Sequence, residues 1–194
     1  MKTGITGGIG SGKSYVCRLL RQRGISVYDC DTHAKRLMAE SPKIRRELTR
    51  LIGPEAYQCH KKWVEGREVE EYRLNKPVIA RFLMESDENA KALEQIVHPQ
   101  VLADYVESGM EWVESAILFE SGLYRLVDRV VVVTAPEEVR IERIMARDGI
   151  SREKALGWMQ RQMTQKSLMQ RADHIIVNDG DTPLTEQLST LLDK

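Results

Sequence analysis

Short apolar runs alternate along the chain with longer stretches of helical spacing. Five of the runs predict β-strands: Lys2 to Thr6, Ile25 to Tyr28, Trp112 to Phe119, Arg129 to Thr134 and His174 to Val177. Two of them contain unbroken apolar tetrads, Ala116 to Phe119 and Val130 to Val133. Unbroken apolar character is what a parallel strand needs when helices cover both faces of its sheet. The alternation therefore predicts an α/β fold in three αβα layers around a parallel sheet. Start signals support the helices between. Pro136 suits the first turn ahead of EEVRIERIMAR, Ser151 suits the cap of REKALGWMQRQM, and Thr182 with Pro183 opens the last helix.

Between the second and third strands, residues 32–110 are charged and mostly helical in pattern. That length exceeds a simple crossover and predicts a helical subdomain within a single 1–194 domain. No repeat, Pro- or Ser-rich linker or low-complexity tract interrupts the chain. Its 194 residues suit a core of ordinary size, and 29 basic against 29 acidic residues give no global field to attract nucleic acid or an anionic membrane. A local basic site stays open. No apolar run approaches the roughly 18 residues of a membrane span, and Met1-Lys2-Thr3 leads straight into a strand rather than a signal peptide, so a cytoplasmic location is expected. Cys17, Cys30 and Cys59 lack paired spacing, and His33, His60 and His174 lack the spacing of a metal site.

The chemistry begins at Gly7 to Ser14, GGIGSGKS, which fits G-x-x-x-x-G-K-[ST] directly after a predicted strand and before a predicted helix. Glycines at 7, 8, 10 and 12 open backbone angles closed to other residues and bring N–H groups within reach of phosphate oxygens. The helix N-terminus adds partial positive charge. In that pattern Lys13 reaches the β and γ phosphates and the Ser14 hydroxyl ligates Mg2+.

Three further features suit phosphoryl transfer. VYDCD at the end of the second strand sets Asp29 and Asp31 at the carboxyl edge of the sheet, on one side if the alternation of a strand continues. One of them can orient a substrate hydroxyl; equally, Asp29 can end the strand and Asp31 cap the next helix. Arg143 and Arg147 lie four apart on one helical face, ready to close over a γ-phosphate or simply to form surface pairs. Glu120 closes the AILF run where an acid can meet the waters of a metal ion, or cap the next segment.

Six segments, ITGGIGSGKS (5–14), VYDCD (27–31), LEQIVHP (93–99), ILFESGL (117–123), RIMARDGIS (143–151) and ADHIIVNDG (172–180), occur in the order and spacing of one family. The chain resembles the dephospho-coenzyme A kinases along nearly its whole length. The resemblance implies a five-stranded P-loop kinase sheet, a helical CoA-side subdomain at 32–110 and a lid at 144–163. It implies MgATP-dependent phosphorylation of the ribose 3′-hydroxyl of dephospho-CoA, giving CoA and ADP in the last step of coenzyme A biosynthesis. Nucleotide would be held by Gly8, Gly10, Ser11, Gly12, Lys13, Ser14, Tyr15 and Asn178, with Ser14 on the metal. Asp31 would be the base, Lys13, Arg143 and Arg147 would serve catalysis, and Thr6, Asp31, Lys76, His98 and Gln162 would face the acceptor. An ordinary carboxylate is ionised at neutral pH and can accept the hydrogen bond that aligns the hydroxyl. His98 before Pro99 is expected to interrupt or cap a helix.

The chain departs from the family pattern at Ala116-Ile117-Leu118, where Pro-Leu-Leu is common, at Cys30 inside the aspartate pair, at Tyr15 and at Lys76. A lysine in place of arginine keeps charge but loses a two-pronged phosphate contact. Two other readings compete: a small kinase for another nucleoside or nucleotide, and a GTP-dependent switch. Asn75-Lys76-Pro77-Val78 tempts toward the switch, but Val78 stands where N-K-x-D needs its aspartate. Oligomeric state is open.

Overall fold

The computed structural model describes residues 1–193. Its elements, in chain order, are β1 (Thr3–Thr6), α1 (Lys13–Gln22), β2 (Val27–Asp29), α2 (Cys30–Glu40), α3 (Pro42–Ile52), β3 (Tyr57–Val64), β4 (Arg67–Leu74) and α4 (Lys76–Glu85). There follow α5 (Asp87–Ser108), β5 (Trp112–Glu114), β6 (Arg129–Thr134), α6 (Glu137–Asp148), α7 (Arg152–Gln160), α8 (Gln165–Met169), β7 (His174–Val177) and α9 (Leu184–Leu192). They form two compact units, Met1–Asp29 with Gly109–Lys194, and Cys30–Ser108.

The first unit is built on a parallel five-stranded sheet in the order β2-β5-β1-β6-β7. The expected α/β architecture is thus found. β1 is central and buried along its whole length. The apolar stripe Val16, Cys17 and Leu20 of α1 and Leu188 and Leu191 of α9 join Ile5, Val131, Val133 and Ile176 of the sheet in one core. A second cluster, Ile141, Ile144 and Ala155, fastens α7 to α6. Between those helices Gly149 closes α6 with φ +63°, and Ser151 caps α7 by accepting a hydrogen bond from the Lys154 N–H.

Three strands differ from their expected bounds, the first only in starting at Thr3 rather than Lys2. The second runs from Val27 to Asp29 rather than from Ile25 to Tyr28. The third stops at Glu114 instead of continuing to Phe119, because the Ser115 hydroxyl accepts the Ile117 N–H at 3.2 Å and turns the chain. Apolar residues 116–119 are therefore a turn segment, with Leu118 and Phe119 buried.

In the second unit α5 packs against α2, α3 and α4. Ser41 caps α3 ahead of Pro42, and the Tyr57 hydroxyl donates to the Met38 carbonyl at 2.6 Å. The helices are interrupted by an antiparallel hairpin, β3 with β4, that the sequence pattern did not suggest. The two-residue loop Glu65-Gly66 has φ +49° and +78°, the backbone of a type I′ turn. The expected break at His98-Pro99 does not occur: α5 is helical through Pro99. Neighbouring turns, Leu93, Val97, Val101 and Tyr105, are buried and hold the helix where proline alone would weaken it.

Candidate functional site

The chain leaves β1 at Thr6 and enters α1 at Lys13 through a loop whose shape requires glycine at two positions. Gly10 has φ +81°, and a Cβ there would lie 2.6 Å from the Arg140 carbonyl oxygen. Gly12, the N-cap of α1, has φ +85°, and a Cβ would run into the Asn178 amide. Its carbonyl accepts the Tyr15 and Val16 N–H groups and starts the helix.

Both functional side chains at the head of α1 converge on one carboxylate. Glu114 Oε1 accepts from Lys13 Nζ at 2.5 Å and from the Ser14 hydroxyl at 2.9 Å. Arg21 stands 3.8 Å from Oε2. Glu114 ends β5, opposite Ile5 of β1 in register, and is 4% exposed. A carboxylate so buried is tolerable only because cations face it; removing one partner of such a pair costs about 3–5 kcal/mol. Its Oε2 nevertheless has no hydrogen bond, and neither has the buried Thr6 or Ser11 hydroxyl. Beside it, burial and then the Glu114 charge push the Cys17 thiol far above its ordinary range, which makes that sulfur unreactive.

Four side chains hold the outside of the loop. Gln162 Oε1 accepts the Ile9 N–H at 2.8 Å, and Arg140 Nε donates to the Ile9 carbonyl at 2.9 Å. Asn178 Nδ2 donates to the Ser11 carbonyl at 2.8 Å. Arg143 reaches the Asn178 carbonyl at 3.0 Å and those of Gly10 and Ser11 at 3.4 and 3.5 Å.

In the first unit the structure thus gathers Gly8, Gly10, Ser11, Gly12, Lys13, Ser14, Arg143, Gln162 and Asn178 in and around one loop. Tyr15 is exposed beside them, with the Arg18 guanidinium over its ring. Arg147 is exposed and bonded to its neighbour Asp148, whose carboxyl it holds below the usual range. Asp31, Lys76 and His98 belong to the second unit. Asp31 is exposed in the first turn of α2, two residues past the end of β2, so strand alternation does not relate it to Asp29. Lys76 is exposed at the first position of α4, and His98 is half-buried in α5.

Glu120 does not hold the expected place. It is exposed in the turn after Phe119, while Glu114 at the true strand end meets Lys13 and Ser14. Sequence reasoning missed Glu114 and Arg140. The signal for the first was present: Glu114 is the sole acid within WVESAILF. Among the described residues no group of three or more His, Cys, Asp or Glu side chains could hold a metal ion, and no helix is long and apolar enough to cross a membrane.

The model of the dephospho-CoA kinase family matches residues 1–183. The chain belongs to this family. Among its relatives, a dephospho-CoA kinase of Porphyromonas gingivalis is 40% identical over 98% of this chain and 92% of its own length. One of Bacteroides fragilis is 37% identical over 99% and 91%. A solved protein of Thermus thermophilus superposes with TM-score 0.76 at 37% identity, covering 100% of this chain and 94% of its own. A shikimate kinase of Bacteroides thetaiotaomicron shares only the fold, with TM-score 0.58 at 11% identity over 100% and 97%. The chain is therefore a kinase acting on dephospho-CoA in the last step of coenzyme A biosynthesis, and the family implies ATP as phosphoryl donor. The GTP-switch reading falls with this finding.

Proposed function

We propose that the loop from Gly8 to Tyr15 binds the phosphates of MgATP and that the γ-phosphoryl passes to the ribose 3′-hydroxyl of dephospho-CoA. The observation that carries this reading is the meeting of Lys13 and Ser14 on Glu114. It sets an ammonium, a hydroxyl and a buried carboxylate at the carboxyl end of the sheet, beside amides opening a helix. Lys13 supplies charge to the β and γ oxygens. Asn178 and Arg143 keep the Ser11 peptide in place, and Arg147 exchanges its exposed pairing with Asp148 for the transferring phosphate.

The donors fit Mg2+: a hydroxyl at Ser14 and a carboxylate whose second oxygen is buried without a hydrogen bond are hard oxygens. Few protein ligands suffice, since this ion keeps waters and phosphate oxygens in its shell. When bound, Mg2+ offsets the charge that builds on the phosphates.

Asp31 orients the 3′-hydroxyl and accepts its proton, and Lys76, His98 and Thr6 serve the acceptor side, whereas Gln162, bonded to the Ile9 N–H, belongs with the phosphate loop. The placement of Asp31 just past a strand end, where ligands of open α/β sheets gather, supports its role. The test is a panel of dephospho-CoA, adenosine and AMP with MgATP, repeated with Asp31→Asn. Only dephospho-CoA should be turned over well, and the variant should lose about a hundredfold in rate while still binding ATP. Near wild-type turnover by Asp31→Asn would refute the role of the aspartate.

A further inference from the structure

Ile9, at the tip of the phosphate loop, has both backbone polar groups taken by side chains from distant parts of the chain. Its N–H goes to Gln162 Oε1 and its carbonyl to Arg140 Nε. Arg140 lies on α6 and Gln162 two residues beyond α7, so the grips come from either side of the turn that joins these helices. Arg140 is 7% exposed, and its guanidinium lies so close to Gly8 that a Cβ there would be 2.5 Å from a terminal nitrogen. Burial lowers the pKa of this arginine, because its charge is desolvated against a neutral carbonyl. Such a cation costs stability where an apolar side chain would not.

A loop with glycine at 7, 8, 10 and 12 has more backbone freedom than any other stretch of its length in this chain. Its amides can meet phosphate oxygens without a large entropy loss only if something fixes the loop beforehand. We infer that Arg140 and Gln162 are positioning residues that clamp the Ile9 peptide and so preorganise the amides of Gly10 to Ser14 for the nucleotide phosphates. The clamp rests on the proposal that this loop binds phosphate. It also assigns Gln162 a task on the nucleotide side. The Ile9 N–H, already bonded, is not among the amides given to phosphate. Gln162 works through its oxygen alone, since an N–H needs an acceptor.

Steady-state kinetics and MgADP titration calorimetry on the full chain test the clamp. The variants are Arg140→Met, Gln162→Met, Gln162→Glu and the double Arg140→Met/Gln162→Met, with thermal melts on each. Each single methionine variant should raise KM for ATP and Kd for MgADP about five- to tenfold, the worth of one hydrogen bond, and leave KM for dephospho-CoA unchanged. Gln162→Glu keeps the acceptor and should recover most of the loss. The double variant should be little worse than either single one, because one missing grip already frees the peptide. Glu138→Gln, which breaks only the surface pair with Arg152, should match wild type. The clamp is refuted if Tm falls with KM for ATP unmoved, if both KM values rise alike, or if the single losses multiply. Gln162 is half-buried, so its variants should fold even if Arg140→Met does not. Lys13→Met separates the two readings: should it also leave MgADP binding intact, the phosphate-loop reading itself has failed.

Discussion

At the scale of single residues, the site turns on a buried charge shared by two donors. Glu114 receives Lys13 and Ser14 on one oxygen and leaves the other without a hydrogen bond, an arrangement awkward for stability alone and suited to a cation. Glu114→Gln keeps the shape and removes the charge. It should weaken apparent Mg2+ affinity about 10- to 100-fold in a metal titration of the initial rate, with partial recovery at high Mg2+. An unchanged Mg2+ titration would remove Glu114 from the metal's surroundings. The glycines, Lys13 and Ser14 were legible in the sequence because their pattern is local. Glu114 stands out there only as the lone acid of its run; that it ends the strand depends on the Ser115 hydroxyl capturing the Ile117 N–H, and apolar residues continue past that turn. The sequence pattern points to Glu120 in its stead because that residue closes the apolar run rather than the strand.

Among the elements, the hairpin of β3 and β4 is the least supported. Apart from Tyr57, β3 is exposed from end to end, β4 is only partly covered, and Trp63 near the loop is 75% exposed. A two-stranded ribbon with so little burial is marginal on its own. Its turn places Glu65 at positive φ, where asparagine is at much less cost. Glu65→Asn should therefore slow hydrogen exchange of the hairpin amides by about two- to fivefold, equivalent to about 0.5–1 kcal/mol, with other amides unmoved. A hairpin whose exchange does not respond is not limited by its turn. The sequence hid this element for the same physical reason: QCHKKWV and REVEEYR are charged on both faces, without the alternation that burial imposes, and the loop is Glu-Gly instead of Asn-Gly. α5 departs from its sequence pattern in the opposite direction. Pro99 signals a break locally, yet burial on successive turns carries the helix through it.

For the whole molecule, a ligand that binds only the folded chain must raise its melting temperature. At a hundred times its Kd, MgADP adds about 2.7 kcal/mol, or roughly 5–10 °C for a chain of this size. Lys13→Met should abolish most of that shift; an equal shift in both proteins would place the nucleotide elsewhere. The parallel sheet and the phosphate loop were readable from sequence alone, because apolar runs and glycine spacing act over a few residues. The tertiary structure alone decided which side chains complete the site. Glu114 lies 101 residues from Lys13, and Gln162 and Arg140 lie 153 and 131 residues from Ile9. What joins them is the register of β1 with β5, Ile5 facing Glu114, and the packing of α6 and α7 against the loop. Those pairings depend on the folding of the whole chain, and no local pattern encodes them.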